Sequence, residues 1–154
     1  MNELIHTFYS AFAKGDWQTM ANCYHEEVEF NDPVFVGLKG KQASSMWRML
    51  LERSKGELEI TFNHVQADAQ RGSADWVAVY VFSATGRRVI NRIHAEFEFK
   101  DDKIIRHTDH FDLHKWAGQA MGLKGKLLGW VPFFSKKVQK TAKVSLDRFL
   151  AKNI

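Results

Sequence analysis

Residues 92–113 read RIHAEFEFKDDKIIRHTDHFDL. On both sides of KDD, apolar side chains recur at every second position, the period of two β-strands joined by a tight turn. The same stretch holds three of the chain's seven histidines and four aspartates, an unusual load for an apolar hairpin. Strand alternation puts His107 and Asp109 on one face with Ile105 and Phe111, and Arg106, Thr108, His110 and Asp112 on the other. In the first strand His94, Glu96 and Glu98 form a solvated or dimer-facing row. Ile93, Ala95, Phe97 and Phe99 face the pocket or core.

Upstream, ELEITFNHVQADA (57–69), ADWVAVYVFSAT (74–85) and RRVINRIHAEFEFK (87–100) share this alternation, with QRGS and TGR as turn material. Together with KIIRHTDHFDLHK (103–115) they predict four antiparallel strands. The N-terminal part follows a different period. Leu4, Ile5, Phe8, Ala11 and Phe12 make one helical stripe that stops at Gly15. Asp16 caps a second short helix reading through Met20, Cys23 and Tyr24. A turn or short strand follows at VEFNDPVFVG (28–37), and Ala43, Met46, Trp47 and Leu50 mark a third helix ending before Gly56. Helices first and a meander afterwards predict an α+β domain whose sheet is covered on one face by the helices.

A chain of 154 residues fits one domain with a continuous core, and 45% apolar with 26% charged residues is a globular profile. The single cysteine, Cys23, excludes an intrachain disulfide and a cysteine-based zinc cluster, and nothing asks for an oxidising compartment. With no leader-like N-terminus and no long apolar run, a cytoplasmic protein is expected. Charge is uneven. Residues 1–114 hold 13 Lys/Arg against 17 Asp/Glu, whereas residues 115–154 hold 9 Lys/Arg against Asp147 alone. An acidic body with a basic tail points away from a nucleic-acid fold and toward a tail with a surface role of its own. Glycine-rich GLKGKLLG (122–129) lacks a phosphate loop's ending and reads as a flexible connection. SKKVQKTAKVSLDRFLAKNI (135–154) reads as an amphipathic helix capped by Ser135. That segment, after the exposed-looking LLGWVPFF (127–134), is expected to pack across the sheet or the pocket mouth, with attachment to an anionic membrane as the alternative.

The order of three helices and four strands, the F-x-D-P of FNDPVF (30–35) and the I-x-x-H-x-D of IIRHTD (104–109) resemble the nuclear transport factor 2-like superfamily. Its steroid Δ-isomerase-like and SnoaL-like polyketide cyclase branches match best, over residues 2–114, so that residues 115–154 form a basic extension. The resemblance implies a curved antiparallel sheet wrapped into a cone, closed by the N-terminal helices around an apolar pocket, with an additional C-terminal helix. It places Asp32 where the isomerase carries its general base. Such an isomerase pairs that base with a tyrosine and a protonated aspartate. Here Phe8 occupies the tyrosine position, with Tyr9 one residue off, and Ala95 occupies the aspartate position. The cyclase branch fits the last strand better, assigning His107 and Asp109 to an acid/base pair.

The hairpin is then apolar because it lines a cavity into which a few polar groups face. The expected catalytic residues are Asp32, His107 and Asp109, with His107 as proton donor or as orienter of the second carboxylate. Phe8, Tyr9, Trp47, Trp76, Tyr80, Phe82, Ala95, Phe97 and Phe111 are the expected substrate-binding wall. No metal or other cofactor is expected, since no local metal-binding signature occurs and general acid–base groups alone supply on the order of 10² to 10⁴ in rate. The resemblance implies an isomerase, cyclase, hydrolase or dehydratase acting on an apolar carbonyl- or hydroxyl-bearing molecule. A non-catalytic binder of a lipid-like or aromatic ligand and a dimeric interaction module are the alternatives. A homodimer through the outer sheet face is expected.

Overall fold

A computed structural model describes residues 1–128 and 132–153; Gly129, Trp130 and Val131 of the expected apolar run lie outside the described residues, as does Ile154. Helix α1 (Asn2–Ala13) buries Ile5, Phe8, Ala11 and Phe12 of the stripe that helical spacing predicts, and Tyr9 besides, while Leu4 is only partly buried. Gly15, at φ +75°, ends it by donating its N–H to the Phe12 carbonyl at 3.0 Å. The Asp16 carboxylate then caps α2 (Trp17–Cys23), accepting from the Thr19 N–H at 3.0 Å and the Thr19 hydroxyl at 2.6 Å.

The helix stops one residue short of expectation, and Tyr24 opens a full strand. Strand β1 (Tyr24–Asn31) replaces the expected turn or short strand, and β2 (Leu38–Lys39) pairs with it. Helix α3 (Lys41–Ser54) follows, then β3 (Glu59–Ala67), β4 (Arg71–Phe82), β5 (Arg87–Lys100) and β6 (Lys103–His110). The six strands form one curved, unclosed sheet in the order β2-β1-β6-β5-β4-β3. The expected antiparallel meander is there, and β1 adds a parallel pair along β6, with Phe30 beside His107 and Asn31 beside Thr108.

Between β5 and β6 the register shifts: Glu98 pairs with Arg106, but Phe99 pairs with Ile104. Ile105 is thus the extra residue of a bulge, and the alternation changes phase there. Ile104, fully buried, shares the inner face with His107 and Asp109 in place of Ile105. The last strand ends at His110, so Phe111 stands just past it, half-buried against the core.

Asp112 caps α4 (Leu113–Met121), and α5 (Leu123–Leu128) packs against it. Contrary to the flexible connection expected for GLKGKLLG, Leu123–Leu128 is helical, and Gly125 serves close packing. A Cβ on Gly125 would stand 1.9 Å from the Ala117 carbonyl oxygen, a distance only glycine avoids. Helix α6 begins at Pro132, a favoured first helical residue, rather than at a Ser135 cap, and runs to Lys152. It lies across α3, burying Leu146 in the common core, while Arg53 donates to Ser145 at 2.6 Å. Gln139 donates to the Pro33 carbonyl at 3.1 Å, tying α6 to the loop that carries Asp32. Among the described residues no helix is long and apolar enough to cross a membrane.

Candidate functional site

His107 sits at the centre of the inner sheet face, wholly enclosed, among aromatic rings. Phe97 lies 4.5 Å away between centroids, Phe30 5.0 Å, Phe8 5.5 Å, and Trp47 stacks on it at 5.8 Å. Both imidazole nitrogens are engaged: Nδ1 is 2.8 Å from the Tyr24 hydroxyl and Nε2 is 2.9 Å from Asp109 Oδ1. Trp47 Nε1 lies 2.7 Å from the same Tyr24 oxygen. The indole N–H donates only, so Tyr24 accepts from Trp47 and its own proton goes to His107 Nδ1. His107 therefore carries its proton on Nε2 and donates it to Asp109. Trp76 Nε1 donates to the same Asp109 oxygen at 3.3 Å. A directed chain Trp47–Tyr24–His107–Asp109 results, every member satisfied in a medium where an unpaired polar group is costly.

Asp32 stands one step beyond the last pair of the β1–β6 register. Since Asn31 is beside Thr108, continuation of the parallel strands carries Asp32 to Asp109. Oδ1 of Asp32 accepts from the N–H groups of Val34 at 2.6 Å and Phe35 at 2.5 Å. Among the described residues no hydrogen bond engages Oδ2. Burial raises the Asp32 carboxyl to about 7, reinforced by the Asp109 charge and opposed by the two backbone donors. Tyr80 is half-buried nearby and accepts from Trp116 Nε1 at 2.7 Å. Burial raises its hydroxyl above the ordinary value; the Trp116 bond opposes this, and the Asp32 charge adds to it.

The expected wall divides into two zones. Phe8, Tyr9, Trp47, Trp76, Ala95 and Phe97 are closed inside the core, at most 7% exposed. Tyr80, Phe82 and Phe111 are partly buried at its edge, with Phe82 against Trp116 at 5.5 Å between rings. Within the inner zone the Tyr9 hydroxyl is buried and has no hydrogen-bond partner among the described residues. Burial, followed by the Asp109 charge, holds its pKa well above the ordinary tyrosine value, so it remains a donor.

Two site members escaped the sequence reading. Tyr24 was absorbed into the helical stripe before it, although the break into YHEEVEFN carries a strand period. Trp116 lies beyond the strand pattern, and no local signal ties it to Tyr80. Burial pushes the Cys23 thiol up to about 11, which removes it as a nucleophile near neutrality. Among the described residues no group of three or more His, Cys, Asp or Glu is arranged to hold a metal ion.

No curated protein matches the sequence. Solved structures that resemble it include a proposed polyketide cyclase from Xanthomonas campestris pv. campestris, 23% identical, covering 77% of this chain and 94% of that one, TM-score 0.62. An LEH-like epoxide hydrolase from M. tuberculosis is 19% identical, covering 84% of this chain and 94% of its own, TM-score 0.60. TerC, co-crystallised with polyporic acid, is 18% identical, covering 71% and 89%, TM-score 0.59. These likenesses establish the nuclear transport factor 2-like fold, and their chemistries differ. The SnoaL-like domain model matches residues 5–107, two thirds of the sequence and every strand through His107. The chain belongs to the SnoaL-like domain family.

Proposed function

We propose that the protein is an acid/base enzyme on an apolar small molecule bearing a carbonyl or hydroxyl, with Asp32 as the group that exchanges protons with it. The observation that carries this is a half-buried carboxyl raised to about 7 beside a second buried carboxylate. A group titrating near working pH is present in both forms and is matched to proton transfer. Oδ2 of Asp32 is the atom that would take a proton from the carbon next to a carbonyl, or from a water. Asp109, fixed by His107 and Trp76, keeps a second charge close and sustains that raised value. His107 has both nitrogens occupied, which favours the orienting role over direct proton donation. The Tyr9 hydroxyl is a donor already desolvated, and a ligand oxygen would satisfy it. The reported hydrolase and the polyporic acid complex among the fold's relatives support a small-molecule pocket.

Turnover should be assayed on a panel of epoxides and enolisable ketones, with kcat/KM followed against pH. The expected profile has a limb near pH 7 that Asp32→Asn abolishes, with at least a tenfold loss of rate. A variant that retains turnover within about twofold would refute the assignment.

A non-catalytic ligand binder is the second reading. It is favoured by Asp32 Oδ1 already serving two backbone amides, as turn-forming aspartates do. On that reading Asp32→Asn leaves ligand affinity unchanged and no panel member is converted.

A further inference from the structure

Strands β1 and β6 run toward one rim of the sheet, the rim where β4 ends and β5 begins. The loop that carries Asp32 leaves β1 at this rim, and Phe111 leaves β6 there. On the inner face Trp76 pairs with Ile93, Ala78 with Asn91 and Tyr80 with Val89. Trp76, Ile93, Ala78 and Val89 are apolar and buried. Tyr80 and Asn91 break that pattern: both are polar and half-buried, and they stand diagonal to one another on neighbouring strands, with side chains on the same face. Asparagine is depleted in strands, so Asn91 serves neither strand pairing nor the apolar core.

Neither polar side chain is saturated. Trp116 Nε1, which can only donate, gives its proton to the Tyr80 oxygen at 2.7 Å, so the phenolic proton points elsewhere. Among the described residues that proton meets no acceptor, and no hydrogen bond engages the Asn91 amide. Burial raises the Tyr80 hydroxyl above its ordinary value, which keeps it a donor near neutrality, and the Asp32 charge that adds to the rise puts the two groups within electrostatic reach. Apolar surface flanks the pair: Phe82 lies against Trp116 at 5.5 Å between rings, and Phe111 is half-buried at the end of β6. Free donors set among apolar side chains are the means by which a pocket fixes the orientation of a small apolar ligand.

We propose that Tyr80 and Asn91 form a carbonyl-binding subsite at this rim, the Tyr80 O–H and an Asn91 N–H converging on one ketone oxygen while the ligand's hydrocarbon lies against Phe82, Phe111 and Trp116. A carbonyl oxygen has two lone pairs in its plane, one for each donor. When a neighbouring carbon loses a proton to Asp32, the same two donors hold the enolate oxygen, which carries more charge than the ketone and is bound harder. Trp116 acts on the ligand only through Tyr80 and is a positioning residue. The subsite rests on the small-molecule reading of the pocket and not on the protein being an enzyme.

The test is an NMR titration of the full chain, its nitrogens isotope-labelled, with β-tetralone, an enolisable aromatic ketone, and with tetralin, the same rings without the oxygen. The ketone should bind and move the side-chain amide signal of Asn91, identified by its loss in Asn91→Leu, and tetralin at equal concentration should leave that signal in place. Tyr80→Phe and Asn91→Leu should each weaken ketone binding about fivefold to tenfold. Thermal unfolding confirms that each variant is folded. Ketone bound by both variants as tightly as by the unaltered protein overturns the subsite, as does no ketone binding at millimolar concentration, or an Asn91 signal that tetralin moves equally. Exchange of the ketone's α-protons in deuterated buffer, compared with Asp32→Asn, reports separately on the acid/base reading: bound ketone that exchanges no faster than in buffer removes the enzyme and leaves the subsite standing.

Discussion

Nε2 of His107 lies 2.9 Å from Oδ1 of Asp109, and neither residue is more than 3% exposed. A buried histidine paired to a buried carboxylate is held in place only if its other nitrogen is also satisfied, and Tyr24 does this across 83 residues of sequence. Tyr24→Phe would leave both His107 Nδ1 and the Trp47 N–H without a partner. Each such loss costs about 1–3 kcal/mol, so the variant should lose roughly 2–6 kcal/mol in urea denaturation. A change below about 0.5 kcal/mol would mean that the chain of donors is not formed.

Tyr9 behaves in the opposite sense. Its hydroxyl is buried without a partner, so Tyr9→Phe should leave the free protein as stable or more stable by up to about 1 kcal/mol. If the hydroxyl meets a ligand oxygen, the same substitution weakens ligand binding or turnover about tenfold. Thermal unfolding together with calorimetry on an identified ligand separates the two effects. Loss of stability with intact affinity would give Tyr9 a packing role only.

Asp32 links proton uptake to folding. Its folded value of about 7 lies above the ordinary 3.8, so between these values the native state binds the extra proton and the unfolded chain does not. The stability this group contributes is complete below about pH 4, falls by up to about 1.4 kcal/mol per pH unit, and is gone above about pH 7. Asp32→Asn removes the dependence. The stability difference between wild type and variant should therefore shift in favour of the variant from pH 5 to pH 8. A difference that stays constant over that range contradicts a raised Asp32.

The outer face of the sheet is proposed as a dimer surface. His94, Glu96, Glu98, Arg106, Thr108 and His110 stand there, with Glu98–Arg106 at 3.6 Å and Glu96–His110 at 3.1 Å. Both charge signs on one face allow self-complementary contacts about a two-fold axis. Light scattering at micromolar concentration should give twice the mass of the chain, and Thr108→Arg should lower it. A monomer mass for the unaltered protein contradicts the proposal.

The strands β3 to β6 and the three N-terminal helices were legible because their apolar periods are local. The partnership of His107 with Asp109 was legible for the same reason, since two residues on a strand share a face. Ile105 was not placed correctly, because a bulge depends on how the neighbouring strand pairs and leaves no mark on local alternation. The first half of strand β1, before the turn or short strand expected from Val28, was hidden by the continuity of apolar positions from α2 into Tyr24. The parallel alignment of β1 with β6, which brings Asp32 to Asp109, joins residues 77 to 80 positions apart. Helix α5 of GLKGKLLG was missed because glycine signals flexibility locally, whereas Gly125 is there because its close approach to Ala117 leaves no room for a Cβ.

The most direct test is the titration of the carboxyl carbon of Asp32, followed by NMR in the ligand-free protein. The expected midpoint is near 7, set by burial and by Asp109, and moves down when Asp109 is replaced by Asn. A midpoint near the ordinary 3.8, indifferent to Asp109, would contradict the assignment of this loop and hairpin as an acid/base site.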